Sequence, residues 1–425
     1  MTTLESWPDS KRWQATLVAC FFTLITTLTA TGYPLCDEAI TSAFDVSHTT
    51  FVLGNTMYLL AIALVPLVLA PLSEDFGRRP VYIATTLVYA VCFIPQALAD
   101  NMATIIATRF FCGAAGSIGN SLAAGVISDC FAPAYRGLPL YVYSTSVYIG
   151  QGIGPVAYVA TGTLQGWRIA FWWNGAAALV AFVAVVALFP ETRPPAVLPP
   201  SEKRSKVARA ATSTTVALTM LLTQPVIGSI SLWSALLWGI NYMAFGAIPL
   251  TFAQAYGWSL LQQSFVFLTM LVAALAGYVC HVHQEHIQAS DPERIELRLR
   301  YACVGALLAP AGLFIFAWTA RASITPVAPV IGVLLFNTAI FPIYQAIFSY
   351  LSEVYGDRSS SAVAAQSFLR NLFAAVLPLL NRHMYENLGS PLATTTLAAL
   401  ATVFSTVPFV IVRYGPVLRR KTIEK

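Results

Sequence analysis

The sequence predicts an all-α membrane protein with twelve transmembrane helices in two six-helix bundles. Three observations support this fold class: the composition, the regular recurrence of apolar stretches and the placement of the basic residues. Hydrophobic residues make up 57% of the 425-residue chain and charged residues only 10%, whereas about 25% of the residues of a soluble protein are charged. The mean hydropathy is +0.68. A soluble fold could not bury this much apolar surface, so lipid must be the solvent for most of the chain.

Apolar stretches long enough to cross ~30 Å of hydrocarbon recur along the whole chain. The predicted spans are 14–35, 50–72, 81–98, 103–128, 138–161, 169–189, 225–247, 262–281, 301–320, 326–350, 360–382 and 391–412. The predicted order is a tail at 1–13, a bundle at 14–189, a central loop at 190–224, a second bundle at 225–412 and a tail at 413–425. Two parallel six-helix halves are typical of transporters whose cargo site lies near the middle of the membrane.

The basic residues predict the orientation. If both termini are cytoplasmic, 19 of the 24 Lys and Arg residues fall in cytoplasmic segments and three fall outside. This is the asymmetry that the positive-inside rule requires, so both termini and the central loop are expected in the cytoplasm. The remaining two, Arg109 and Arg370, lie within spans. The short polar N-terminus has no cleavable signal architecture, so the first span is expected to remain as a helix.

Neither cysteines nor short motifs predict a metal centre or an enzyme. The seven cysteines are scattered, form no C-x-x-C and mostly lie in apolar runs, which favours apolar packing over a disulfide framework or a zinc cluster. The segment from His281 to His286 contains ligand types that a metal transporter would use, but its charged surroundings favour a solvated loop. No G-x-S-x-G, H-E-x-x-H or phosphate-binding loop is present. We therefore predict no enzyme activity, no cofactor and no nucleic-acid partner.

The connection between the second and third spans, APLSEDFGRRP, carries a candidate conformational latch. A tight turn is predicted at Gly77, with Glu74 and Asp75 before it and Arg78 and Arg79 after it. An acid and an arginine near helix ends can favour one of two domain arrangements. A basic turn that only sets the topology is the alternative interpretation.

This turn resembles the loop 2–3 signature of the major facilitator superfamily, G-x-L-(A/S)-(D/E)-x-x-G-R-(R/K). Ala70 replaces the opening glycine, and Asp75 stands where a basic residue is often found, so either Glu74 or Asp75 is the candidate acid of the latch. The fourth span resembles the family's R-x-x-x-G-x-x-G span at Arg109, Gly113 and Gly116. With Asn120, these residues are spaced to lie on one helix face.

The fifth span is similar to the G-P motif of the family's antiporters at Gly150, Gly154 and Pro155. The family pattern continues with two glycines, but here Tyr158 and Val159 stand in that region, so helix packing is expected to differ and antiport coupling does not follow from the motif. Together the motifs resemble fungal members of the twelve-span drug:proton antiporter group. This resemblance implies proton-coupled export by alternating access in the fungal plasma membrane.

The two arginines within spans allow two interpretations. In the first, Arg109 or Arg370 faces a central cavity and attracts an anionic group of the cargo. In the second, both are fixtures of the family that pair with acids such as Glu353 or with backbone carbonyls. No acid is clearly placed in the middle of the membrane, which argues against polycationic cargo.

Aromatic and amide side chains at helical spacing mark the candidate cavity. Helix packing also explains aromatic stripes, but a buried amide in hydrocarbon needs a partner. The full candidate cavity set is Arg109, Asn120, Tyr148, Gln151, Trp238, Asn241, Tyr242, Asn337, Tyr344, Gln345, Gln366 and Arg370.

Proton coupling requires a group that titrates between two access states. The mid-membrane histidine or carboxylate that would serve best is absent from the sequence, and the candidates are Asp37, Glu38, Asp129 and Glu353, all at the ends of spans. We predict a monomeric efflux transporter of a small organic compound, with protons and the lipid bilayer as its other partners. An organic acid or other secondary metabolite is preferred to a cationic drug. The alternatives are a broad-specificity drug-efflux pump and an importer or facilitator of a small nutrient.

Overall fold

The computed structural model describes residues 7–132, 135–193, 206–290 and 294–423, and no β-strand occurs among them. The chain divides into two compact units, Met1–Thr215 and Val216–Lys425. In order, the helices are α1 (Asp9–Gly32), α2 (Asp37–Phe44), α3 (His48–Leu64), α4 (Pro66–Phe76), α5 (Arg78–Val91), α6 (Phe93–Ala97), α7 (Met102–Ser121), α8 (Ala123–Cys130), α9 (Gly137–Gln165), α10 (Trp167–Leu188), α11 (Lys206–Thr223), α12 (Pro225–Tyr256), α13 (Leu260–Phe265), α14 (Thr269–Ser290), α15 (Arg300–Thr319), α16 (Val327–Tyr355), α17 (Ser359–Val376), α18 (Pro378–Phe404) and α19 (Thr406–Ile423).

Helices overlap all twelve predicted spans, but fewer meet a strict test of length and hydropathy. Within the described ranges, nine helical segments are long and apolar enough to cross a membrane, and a tenth results if α3 and the start of α4 count as one bent span. The 41° bend of that pair falls at Pro66, which cannot donate a helical hydrogen bond. Neither α9 nor α17 meets the test, because polar residues such as Gln151 and Gln366 lower their hydropathy. The total of twelve spans stays a prediction.

The central region differs from the sequence-based expectation. Residues 190–224 are predicted to be a loop, yet α11 occupies Lys206–Thr223. This segment contains no proline or glycine and is rich in alanine and leucine, which favour helix. Residues 194–205 lie outside the described ranges. Farther along, α18 is interrupted at Gly389, whose φ of 74° and ψ of 157° break the helix between the predicted eleventh and twelfth spans.

The same helix pairs pack together in both units. In the first unit α1 packs on α9, α3 on α7, and α5 on α10; in the second, α12 packs on α17, α14 on α16, and α15 on α18. These pairs join spans one and five, two and four, and three and six of each predicted bundle. The second unit therefore repeats the topology of the first, as in transporters built from parallel repeats.

Small residues permit the closest helix crossings. On α9, a Cβ atom at Gly154 would lie 2.6 Å from Thr31 Oγ1 on α1, and one at Gly150 would collide with Thr27 Oγ1. In the second unit, a Cβ atom at Gly312 would lie 2.6 Å from the carbonyl oxygen of Gly332. Association of membrane helices depends on such close packing, because lipid is as apolar as the side chains that it replaces.

We expect Gly150→Ala to lower the unfolding temperature of the purified protein, because the added methyl group has no space against α1. Overpacking of this kind destabilises by about 1–3 kcal/mol. The control is Gly162→Ala on the same helix, where a Cβ atom would meet no atom within 4 Å. Equal unfolding temperatures for the two variants in nanodiscs would contradict the close crossing of α1 and α9.

Candidate functional site

The predicted latch lies at the end of the first unit where α4 turns into α5. Gly77 forms the turn with a φ of 93°. Arg78 donates from Nε to Asp129 Oδ2 at 3.0 Å and from Nη1 to Ser73 Oγ at 2.6 Å. Arg193 Nη1 lies 3.8 Å from the other carboxylate oxygen of Asp129. Asp129, one of the four candidates for proton coupling, is therefore an acid that pairs with Arg78.

The two acids assigned to the latch from the sequence, Glu74 and Asp75, have side chains outside the described part of the structure. Asp129 also influences a third arginine, in the connection between α8 and α9. Burial lowers the pKa of Arg136, and the charge of Asp129 opposes this shift. Arg136 donates to the backbone oxygens of Phe131 and Ser128 at 2.9 Å, which fixes the connection beside Asp129.

Glu191, which is not among the predicted latch residues, accepts hydrogen bonds from the N-terminus of α5. Its Oε1 accepts a hydrogen bond from the backbone N–H of Arg78 at 2.8 Å, and its Oε2 accepts one from Arg79 at 3.1 Å. The first N–H groups of a helix have no partner within the helix, and a carboxylate there is also favoured by the helix dipole. The available signal was an acid immediately after the sixth span, but no local pattern pairs residues so far apart in the chain.

Arg109 lies on α7 with no exposed surface. Its Nε donates to the carbonyl oxygen of Gly54 at 3.0 Å and its Nη2 to Asn55 Oδ1 at 2.7 Å. The guanidinium carbon lies 3.7 Å from the ring centroid of Tyr33 and 4.9 Å from that of Tyr58, which adds cation–π attraction. We call these five residues the Arg109 clamp. One of the two hydrogen bonds goes to a backbone carbonyl, as in the second interpretation of this arginine, and Nη1 is buried without a hydrogen-bond partner among the described residues.

A chain of hydrogen bonds continues from the clamp through the interior of the first unit. Its steps measure between 2.8 and 3.3 Å. In order, it links Asn174, Thr29, Tyr89, Tyr58, Thr26 and Asn120. Asn120, predicted to line a cavity, thus donates to Thr26 on α1. The predicted polar face of α7 is directed into its own bundle.

Tyr158 occupies a position at which the antiporter pattern has a glycine. Its ring is fully buried and lies over Gly32 of α1, so closely that a Cβ atom on Gly32 would overlap it. Phe171 and Trp173 meet the ring edge-on, with centroid distances of 6.5 and 5.6 Å. A small residue on α1 therefore accommodates the large residue on α9.

In the second unit, Arg370 on α17 lies beside a pair of aromatic rings. Its guanidinium carbon is 5.0 Å from the ring centroid of Trp238 and 4.7 Å from that of Tyr344. The two rings are themselves stacked, with centroids 5.6 Å apart and planes at 21°. We call Trp238, Tyr344 and Arg370 the Arg370 cage. One turn earlier on α17, Gln366 Nε2 donates to Ser234 Oγ at 2.9 Å.

The other predicted cavity residues are distributed over both units. Asn337 donates to Thr269 Oγ1 at 3.0 Å, and the ring of Tyr242 lies 6.1 Å from that of Trp238. In the second unit Asn241 is buried and Gln345 partly buried. The residues that belong to the first unit are Arg109, Asn120, Tyr148 and Gln151, of which Tyr148 and Gln151 are buried on α9.

The acids at the span ends have specific surroundings. Glu353 accepts from Arg298 Nε at 2.8 Å, and Arg298 also reaches Glu285 at 2.8 Å, so the partner of Glu353 is not an arginine within a span. In the first unit, Asp37 Oδ2 contacts His48 Nδ1, whereas Glu38 is exposed.

The histidine segment at the end of α14 forms ordinary polar contacts. His283 Nδ1 contacts the hydroxyl of Tyr301, and Glu285 of the same segment is paired with Arg298. Among the residues that the structure describes, no three His, Cys, Asp or Glu side chains come together as a metal site.

The family model of the Major Facilitator Superfamily matches residues 15–378. The chain belongs to this superfamily. It is 31% identical over 446 residues to the efflux pump FUB11 of Gibberella moniliformis, covering 97% of this chain and 74% of that protein. It is 31% identical over 393 residues to the efflux pump atB of Aspergillus terreus, covering 84% and 82%. These relatives are fungal, which confirms the family group expected from the motifs.

Solved structures agree on the fold. The human organic anion transporter MFSD10 superposes with a TM-score of 0.69 at 17% identity, covering 95% of this chain and 100% of that one. A peptide transporter, POT, superposes with a TM-score of 0.73 at 12% identity, covering 95% of each chain. The protein is thus a multi-pass membrane transporter with the major facilitator fold.

The contact between Gly32 and Tyr158 generates a paired prediction. Gly32→Ala is expected to lower the unfolding temperature, because its methyl group would overlap the ring of Tyr158. Tyr158→Gly alone should destabilise by leaving a cavity, by about 3–5 kcal/mol for a large aromatic side chain. In the double variant the two changes relieve the overlap, so its loss should be smaller than the sum of the two single losses. Thermal unfolding of the three variants measures this coupling, and strictly additive effects would contradict the direct contact.

Proposed function

We propose that this transporter exports a small organic compound, an organic acid or other secondary metabolite, across the plasma membrane and is driven by the proton gradient. The names of its relatives, which are efflux pumps, support the direction of transport. The excess of basic residues in the assigned cytoplasmic segments supports an orientation with both termini inside. In this proposal the transporter works as a monomer by alternating access.

The Arg370 cage is the observation that carries the cargo class. Arg370 is only 5% exposed, and the low dielectric around it strengthens attraction for an anion. A guanidinium group can bind a carboxylate through two parallel hydrogen bonds. The rings of Trp238 and Tyr344 add flat apolar surfaces that suit a planar ring system. An organic acid with an unsaturated or aromatic part satisfies both features.

We assign cargo binding to Arg370 and helix positioning to Arg109. Arg109 is fully buried in the first unit, and its hydrogen bonds to Gly54 and Asn55 connect α7 to α3. A side chain with these contacts would have to leave them in order to bind cargo. This assignment divides the two roles that the sequence leaves open for both arginines.

Arg370→Gln is expected to reduce export by about ten- to a hundredfold, the loss that follows when a hydrogen bond to a charged group is removed. The measurement is comparative metabolomics of the culture medium and the cell interior, on a deletion strain complemented with each variant. The control is Arg382→Gln, which removes an exposed arginine that is paired with Glu386 one helical turn later. Membrane levels of each variant are measured in parallel.

Loss of one acidic metabolite from the medium of the deletion strain, with accumulation inside, supports a dedicated exporter. Unchanged metabolites with new sensitivity to unrelated toxic compounds would instead identify a broad drug-efflux pump. Export by Arg370→Gln at the wild-type rate would refute the cargo site. Export that continues after a protonophore collapses the gradient would refute the proton drive.

A further inference from the structure

Two titratable side chains close the hairpin that joins the first two spans. Asp37 is the first residue of α2 and His48 is the first residue of α3. His48 Nδ1 contacts Asp37 Oδ2, and the two side chains are 22% and 31% exposed. The pair lies at the end of the first unit that is predicted to be extracellular. Asp37 is one of the four candidates for proton coupling predicted from the sequence, and His48 is not.

The same face of α3 leads from His48 to the Arg109 clamp. His48, Phe51 and Gly54 are three residues apart, so they lie one above another on successive turns. Phe51 is stacked on Tyr33, with ring centroids 4.5 Å apart and planes at 11°, and its carbonyl oxygen accepts from the Tyr33 hydroxyl at 3.1 Å. Gly54 accepts from Arg109.

The segment that follows α1 packs against this face of α3 and contributes one partner to each turn. Asp37 meets His48, and Tyr33, one turn earlier, meets Phe51 and covers the guanidinium of Arg109. A change in the attraction between Asp37 and His48 therefore acts on the segment that holds Tyr33 against Arg109. The Asp37–His48 and Tyr33–Phe51 contacts are four residues apart on the first segment of the hairpin and three residues apart on α3.

The chemistry of the pair defines where a proton would bind. An ionised carboxylate only accepts hydrogen bonds, so Nδ1 of His48 must carry the hydrogen and Nε2 is left with the free lone pair. A proton from outside adds to Nε2 and converts the imidazole to an imidazolium. The neutral hydrogen-bond donor then becomes a cation, and its contact with Asp37 becomes an ion pair of greater strength.

The nearest charged residues along the chain on either side of the pair are acids. Glu38 and Asp45 flank it on the hairpin itself. At the start of α10, the ring of Trp167 lies 5.5 Å from that of Phe44. The guanidinium of Arg168 lies 4.2 Å from the centroid of the same Trp167 ring. On the inner side, Arg109 is separated from the pair by Tyr33. Each of the two arginines is itself stacked on an aromatic ring.

We propose that His48, paired with Asp37, is a proton-binding site on the external face that tightens the hairpin and so sets the Arg109 clamp. The proposal deepens the proposed function, on which its external position and its link to transport rest. Protonation of His48 holds the two helical segments of the hairpin together and keeps Tyr33 against Arg109. Loss of the proton leaves a weaker contact and a looser hairpin.

Hydrogen–deuterium exchange of the full-length protein in nanodiscs tests the site. Rates for peptides covering residues 33–55 are compared at about pH 5.5 and about pH 8, on either side of the range in which histidine changes charge, after correction for the intrinsic pH dependence of exchange. In the wild type, exchange should be about two- to fivefold slower at the lower pH, as expected for a partly exposed ion pair.

His48→Gln should exchange at the same corrected rate at both pH values, and so should Asp37→Asn, which alters the pair from its other side. His383→Gln is the control, because His383 is an exposed histidine of the second unit and should leave the wild-type pH effect intact. A pH effect that survives in both pair variants, or that is missing in the wild type, would overturn the site.

Export of the accumulated metabolite is then compared at the same two external pH values in cells carrying wild type or His48→Gln. If the wild type exports nothing, the proposed function fails while the exchange result still decides the site. If the wild type exports and His48→Gln keeps the same pH dependence, the link between the site and transport is refuted. The expected result is export whose dependence on external pH is lost in His48→Gln.

Discussion

A charged side chain inside a hydrocarbon layer is stable only where protein atoms replace the water around it, and Arg109 imposes this constraint on the first unit. Placing an arginine at the centre of a membrane helix costs about 2.5–3.5 kcal/mol, which is a large part of the net stability of a typical protein. The carbonyl of Gly54, the amide of Asn55 and the rings of Tyr33 and Tyr58 offset this cost together. Arg109 itself is on α7, whereas these groups come from α3 and from the 3-10 turn that follows α1, so the contacts of one side chain fix the relative positions of three segments.

The close helix crossings follow from the same requirement. Buried threonines and tyrosines can exchange hydrogen bonds between helices only if the backbones approach closely, and glycines permit that approach where α9 crosses α1. At the contact between Gly32 and Tyr158, a small residue on α1 makes room for a large residue on α9, so the two helices still cross closely. In the second unit a stacked pair of aromatic rings lies beside Arg370 instead, a setting suited to a planar anion.

Local sequence patterns predicted the features that depend on a single helix. Hydropathy located the membrane helices, and the four-residue spacing of Arg109 and Gly113 identified the polar face of α7. The partners across helices were not predictable in this way. Arg78 pairs with an acid 51 positions away and its backbone with another 113 positions away, and only the packing of α5, α8 and α10 brings them together. The helix α11 was missed because the basic and polar residues of the central region outweighed its helix propensity.

Polar groups at hydrocarbon depth thus depend on partners within the protein. The most direct test is the unfolding temperature of Arg109→Gln and Arg168→Gln in lipid nanodiscs. Arg168 makes similar contacts, donating to the carbonyl of Ala99 at 2.9 Å and lying over the Trp167 ring, but it stands at the edge of a span, where water can replace it. We expect a loss of at least about 2 kcal/mol for Arg109→Gln and little change for Arg168→Gln. Equal losses, or a larger one for Arg168→Gln, would contradict it.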